Sequence, residues 1–197
     1  MTSEDLHDQI LEIAWQAARA VPDPEMPFLT VEDLGILRSV SVDGGQLHIA
    51  VSPTYSGCPA VTVIEESIQS AVSDALRDGL PDSGNLSDVV VERALSPAWT
   101  TEDLSDEARA KLLANGIAPP VSSVEFIASG SAAIAADGVT ANGDLPQLNF
   151  FAEPQVVCPR CQSSNTQRIS EFGSTPCKSQ YRCGSCREPF DHFKCLR

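Results

Sequence analysis

Two short cysteine motifs near the carboxyl end constrain this chain more than any other feature. Cys158-Pro159-Arg160-Cys161 and Cys183-Gly184-Ser185-Cys186 each place two thiols across a tight turn, with 21 residues between the motifs. A CxxC turn points both sulfurs at one ion, and two such turns complete a tetrahedron. The intervening segment has room for a hairpin over Thr166 to Glu171 and Lys178 to Arg182, so the tail reads as a zinc ribbon. Four protein ligands leave no open coordination position, which makes the ion structural. Iron or an iron–sulfur centre satisfies the same four thiolates, and a reduced or thioredoxin-like pair is the blander alternative. So few apolar residues accompany these cysteines that the tail needs the ion to fold, with about 10 kcal/mol of binding free energy deciding the matter.

The other three cysteines do not belong to that set. Cys177 lies six residues before the second motif and is expected to be a small buried hydrophobe or a support for the ribbon, while Cys195 is expected at the surface. His192 is read as a packing or surface residue, since four better ligands exist. Cys58 stands alone, far upstream. With no sign of an export signal, seven cysteines argue for reduced thiols and not for disulfides.

Charge divides the chain in the same place. The whole carries −14, but residues 156 to 197 carry +4, which leaves −18 on the rest. Such an acidic body repels a phosphate backbone and argues against nucleic acid as the partner. The longest apolar runs fall far short of the roughly 20 residues a membrane span needs, and the start, MTSEDLHDQ, is acidic where a signal peptide is basic. A cytoplasmic protein without a membrane partner is the expectation.

The 197 residues suffice for one medium domain and a small satellite. Leu6, Ile10, Ile13, Ala14, Ala17 and Val21 recur at spacings of three and four behind Ser3-Glu4-Asp5, which predicts an amphipathic helix. Pro22, Pro24 and Pro27 end it in a constrained loop. The period then shortens to two around Asp43-Gly44-Gly45, a hairpin, and returns to a helical stripe from Val61 to Leu76. Val89 to Ala94 reads as a strand and Thr101 to Asn115 as a third helix with Gly116 at its end. The fold class is therefore α+β: a small domain with a mixed sheet and helices over residues 1–118, a linker or small insertion over 119–155, and the ribbon over 156–197. Val124 to Ala128 and Leu148 to Phe151 are candidate edge strands within the insertion.

On physical grounds Cys58, between a strand and a helix, is either a buried inert thiol or a thiolate favoured by the helix dipole. Asp23 and Glu25 are either solvated carboxylates or ligands. No nucleophile sits beside a base, and there is no ExxH pair, phosphate-cradling glycine loop or flavin fingerprint. The chain is expected not to be catalytic itself.

VPDPEMPFLTVEDLGILRSVSV followed by VSPTYSGCPAV before a helix resembles the MIP18/DUF59 family, a small α+β module associated with iron–sulfur assembly, over roughly residues 5 to 95. SPAWTTEDLSDEARAKLLANGIAPP and the whole cysteine-bearing tail resemble the PaaD branch, whose members are subunits of the 1,2-phenylacetyl-CoA epoxidase of aerobic phenylacetate degradation. That resemblance implies an accessory subunit of a monooxygenase complex, working with its oxygenase and reductase subunits to assemble iron or iron–sulfur centres. It implies Cys58 as the metal-handling thiolate, Asp23 and Glu25 as the acidic pair of the DPE loop, Thr54 as the polar neighbour of the cysteine loop, and Asp33 as the DLG acid. Its implied cofactors are structural zinc and a transient iron or iron–sulfur cargo; one thiolate cannot hold a cluster, so a second copy in a homodimer or a partner would supply the rest. The competing readings are a purely structural partner-binding module and, with less support, a nucleic-acid-binding ribbon or a thiol enzyme.

Overall fold

The computed structural model describes residues 3–54, 57, 59–80, 88–121 and 155–194. Cys58, the candidate edge strands within 122–154 and Cys195 lie outside the described residues.

The first helix, α1 (Ser3–Arg19), stops where Pro22 removes a donor. Strands β1 (Leu37–Asp43) and β2 (Gln46–Val51) pair antiparallel across Gly44-Gly45, both at positive φ, which is the backbone a two-residue hairpin turn demands. Along β2 every second side chain is buried: Leu47, Ile49 and Val51. Burial of each is worth about 1.5–3 kcal/mol. Helix α2 (Ala60–Gly79) returns the chain to β3 (Asp88–Arg93), which runs parallel to β2, giving a mixed sheet in the order β1-β2-β3. Ile10, Ala14 and Ala18 of α1 and Ile64, Ile68, Val72 and Leu76 of α2 share one core with the buried side of β2.

After β3 the chain folds back onto the DLG turn. Trp99 donates its indole N–H to the Leu34 carbonyl at 2.7 Å, and Asp103 accepts two bonds from the Arg38 guanidinium at 2.7 and 3.1 Å. Gly35, at φ +64°, fits beneath this segment because a Cβ there would lie 1.9 Å from the Asp103 carbonyl oxygen. The third helix is shorter than its sequence suggests. Thr101–Asp103 forms a 3₁₀ turn, and α3 (Asp106–Ala114) starts only where the Ser105 hydroxyl caps the Ala108 N–H at 3.0 Å.

A second sheet, β4 (Ile117–Ala118), β7 (Pro189–Phe193), β6 (Lys178–Cys183) and β5 (Thr166–Ser170) in that order, forms the ribbon. Ile117 and Ala118, which sequence alone assigns to the end of the body, pair with Asp191 and His192. Neighbouring strand residues face opposite ways, so Ile117 enters the body core and Ala118 the ribbon core. Phe193 likewise sits in the body core, edge-on to Trp99 at 6.2 Å, and the Lys194 N–H bonds the Cys177 carbonyl at 2.9 Å. The ribbon is thus packed against the body by buried apolar side chains.

Candidate functional site

Two constellations carry chemistry. The first is the four-thiol cluster. The turn at Cys158 is closed by the Gln162 N–H on its carbonyl at 2.9 Å and by its own N–H on the Ser163 carbonyl at 3.0 Å. Its counterpart is closed by the Cys183 N–H on the Glu188 carbonyl at 3.0 Å, and Gly184 leaves no room for a Cβ against the Asn165 side chain. Gln162 and Arg187, one residue beyond each motif, both take positive φ, the reversal a knuckle needs. The four sulfurs lie within 4.8 Å of one another, with Cys158 to Cys186 at 3.8 Å and Cys161 to Cys183 at 3.5 Å. A tetrahedron of about 2.3 Å metal–sulfur bonds has edges of about 3.8 Å, so this set fits a zinc-sized ion. Backbone N–H groups of Cys186, then Ser185, draw the Cys183 thiol down. On Cys186 the pull of the Glu188 backbone is outweighed by desolvation and the neighbouring sulfurs, which push that thiol up. Without an ion the four sulfurs thus favour one thiolate, at Cys183, and not four.

The second constellation is built around the proline-rich loop. The Asp23 N–H bonds the Leu29 carbonyl and the Val31 N–H the Val21 carbonyl, so the loop is closed at its neck. Inside it, Asp23 Oδ1 accepts the N–H groups of Glu25 and Met26 at 2.8 and 2.7 Å. Asp23 is only 7% exposed; burial pushes its carboxyl up against the opposing pull of those N–H groups and the Lys178 charge. Asp23, Glu25 and Thr54 line one cavity of about 20 Å³, walled by Met26, Leu34, Ile36, Pro53, Ile64 and Phe193.

Asp33 is placed elsewhere. It forms a reciprocal pair with Thr30, whose N–H bonds Asp33 Oδ2 at 2.9 Å while the Asp33 N–H bonds Thr30 Oγ1 at 3.2 Å. Lys111 of α3 reaches both its carboxylate oxygens at 2.8 and 3.1 Å. This acid ties the loop to α3 and does not line the cavity. Cys177 does line it, from the ribbon side. Nothing in local sequence signals that approach, because 152 residues separate it from Glu25; the only clue is that the four-thiol set leaves Cys177 over.

Comparison with known proteins agrees with this division. A family model described as an iron–sulfur cluster assembly protein matches residues 13–85, and one described as the PaaD zinc beta ribbon domain matches residues 144–194. An Escherichia coli K12 protein, named as the D component of a 1,2-phenylacetyl-CoA epoxidase, is 41% identical over 188 residues, covering 95% of this chain and 94% of its own. The Bacillus subtilis "Fe-S protein maturation auxiliary factor YitW" is 28% identical over 108 residues, 54% of this chain and 97% of its own. A crystal structure of a DUF59 domain from Bacillus anthracis aligns with a TM-score of 0.44 at 23% identity, covering 56% of this chain and 97% of that one. Among the described residues no helix is long and apolar enough to cross a membrane.

Proposed function

Because this chain belongs to the PaaD family of 1,2-phenylacetyl-CoA epoxidase subunits, we propose that it is a non-catalytic accessory protein which helps to assemble iron or iron–sulfur centres in the oxygenase and reductase of that system. It works in the cytoplasm and acts in aerobic phenylacetate catabolism. The body spans 1–118, the connecting segment 119–155 and the ribbon 156–197. Cys158, Cys161, Cys183 and Cys186 hold a structural zinc ion, which shapes the ribbon without taking part in transfer. The handling site is Cys58 with the Asp23 and Glu25 loop and Thr54; Asp33 contributes by fixing that loop on α3.

The observation that carries this reading is the convergence of Asp23, Glu25 and Thr54 on one small, largely apolar-walled cavity. Carboxylates within such walls are costly unless hydrogen bonds or a cation compensate them; for Asp23 the Glu25 and Met26 N–H groups and the Lys178 charge do so against its burial. The same loop falls within the stretch that matches the cluster-assembly family. Thr54, which lines the cavity, lies four residues before Cys58 in the sequence. A cluster bound through Cys58 takes its remaining ligands from a partner or a second copy of the chain.

The test is co-expression of the oxygenase subunits with the wild-type chain, with Cys58→Ser, or with neither. The wild type raises the iron content and activity of the oxygenase and Cys58→Ser does not. Equal iron in all three cultures refutes the assembly role, and equal iron with lost association on deleting the ribbon marks a purely structural subunit instead.

A further inference from the structure

We infer that the end of the ribbon bearing the two cysteine turns is a docking face for an acidic segment of a partner protein, whose carboxylates are held by Arg182 and Arg187. The inference rests on the proposed work with the oxygenase and reductase subunits and adds to it the surface by which the chain meets them.

The chain has 27 acidic residues and 13 basic ones, so a basic side chain seldom wants for a carboxylate. Arg197 lies outside the described residues. Of the other twelve bases, seven pair with carboxylates, Arg109 bonds two carbonyls, and the Lys178 charge acts on Asp23. The three left over are Arg160, Arg182 and Arg187, which have no hydrogen bond or ion pair among the described residues. All three are exposed and lie at the cysteine turns: Arg160 inside the first, Arg182 and Arg187 on either side of the second.

Arg182 stands opposite Gln167 across the β5–β6 ladder, so the two side chains share the exposed face of the sheet. With Arg187, at φ +64°, and Asn165 they line a groove of about 350 Å³ that Cys183 and Gly184 complete. The frame is stiff, since the Gly184 N–H bonds the Asn165 carbonyl at 2.7 Å. No acid lines this groove. In the described ribbon Glu171 is paired with Arg168, Asp191 accepts from the Ser174 hydroxyl, and only the exposed Glu188 stands against the three arginines. Four thiolates on a divalent ion leave a net negative charge, which arginines could serve to offset. None of the three reaches a sulfur, however: the sulfurs of the cluster contact one another and backbone N–H groups.

The form of the face selects the partner. A guanidinium matches a carboxylate through two parallel N–H···O bonds. Because the lining side chains are exposed, a single small anion would gain little in water, whereas one segment engaging both arginines gains from each. Ile169 of β5, 55% exposed, lies two residues beyond Gln167 and adds apolar contact. The −18 carried outside the tail repels the same partner elsewhere, which steers approach to the ribbon. A nucleic-acid strand, with a charge on every phosphate, would run on into that acidic body; a short acidic segment need not.

The full-length zinc-loaded chain is tested for binding to purified oxygenase and reductase subunits by interferometry. The wild type binds one of them, and less tightly as salt rises from about 50 to about 300 mM. The double variant Arg182→Gln, Arg187→Gln binds at least about tenfold more weakly, yet keeps its zinc against a chelator and its circular dichroism; Arg77→Gln, on α2, binds as the wild type does. A glutamate-rich peptide displaces the partner. No binding by the wild type, or equal binding by the double variant, overturns the docking face. So does faster loss of zinc from the double variant, which would assign the arginines to the metal. Displacement by inorganic phosphate or single-stranded DNA, as effective as the peptide at matched ionic strength, also overturns it. If association depends on the arginines while oxygenase iron is indifferent to the chain, the docking face stands and the assembly role falls. If the double variant raises oxygenase iron as the wild type does, the docking face falls and the assembly role stands.

Discussion

His192 should make the ribbon acid-sensitive in a way that can be isolated. Its side chain is 5% exposed, Nδ1 meets the Ser179 hydroxyl at 3.2 Å, and the ring stands edge-on to Tyr181 at 5.5 Å. Nε2 is buried without a partner among the described residues. Burial first, then the nearby Lys194 and Arg168 charges, push the imidazole from its ordinary 6.5 down to about 4. Folding therefore favours the neutral ring. The stability this confers is present above pH 6.5 and is lost as pH falls towards 4. At about 1.36 kcal/mol per unit, the full loss is about 3 kcal/mol, of which about 2 kcal/mol has gone by about pH 5. His192→Gln removes the titration. Urea unfolding of the zinc-loaded wild type and variant across that range measures the difference, because acid release of the ion is common to both. The wild type should lose about 2 kcal/mol more than the variant between neutrality and about pH 5. Parallel pH profiles would refute the argument that His192 is buried neutral.

Three further outcomes follow from contacts described above. Gly35→Ala should cost at least about 2 kcal/mol in chemical denaturation, since it combines positive φ with a clash against the Asp103 carbonyl. Lys111→Met should destabilise by about 1–2 kcal/mol at neutral pH by leaving Asp33 without its cation. Burial pushes the Asp33 carboxyl up, but the Lys111 bonds outweigh this and hold it below its ordinary value; the pair therefore contributes above about pH 4, and the penalty should shrink as acid protonates the carboxylate. Stripping the ribbon with a chelator should expose 155–194 to protease first, and should also loosen Trp99, seen as a red shift in its fluorescence, because Phe193 leaves the body core with the ribbon.

Much of this architecture is legible in local patterns. The stripe of α1, the period-two run of the hairpin around Gly44-Gly45, the α2 stripe and the paired CxxC turns are of that kind, and the elements stand where those patterns place them. What escapes a reading along the chain is non-local. Strand β7 shows no clean alternation because both of its faces are covered, Phe190 and His192 by the ribbon and Phe193 by the body. Two-residue β4 has no period at all and exists only because β7 offers it an edge. Helix α3 begins late because Leu104 is drawn into the core and Ser105 is the better cap. At the candidate site, motif resemblance marks Asp23, Glu25 and Thr54, while the meeting of Cys177 with Glu25 is a product of domain packing that no spacing encodes.

The central claim, that this chain hands iron to its partner, is tested most directly by transfer. Protein loaded anaerobically with ⁵⁷Fe and carrying zinc in its ribbon is mixed with iron-free oxygenase subunit in the presence of a chelator that captures free iron, and the oxygenase is re-isolated for Mössbauer spectroscopy. Direct transfer predicts ⁵⁷Fe in the oxygenase's own centre when the wild-type chain is the donor, and none from the Cys58→Ser chain. Label found wholly in the chelator with either donor would contradict it.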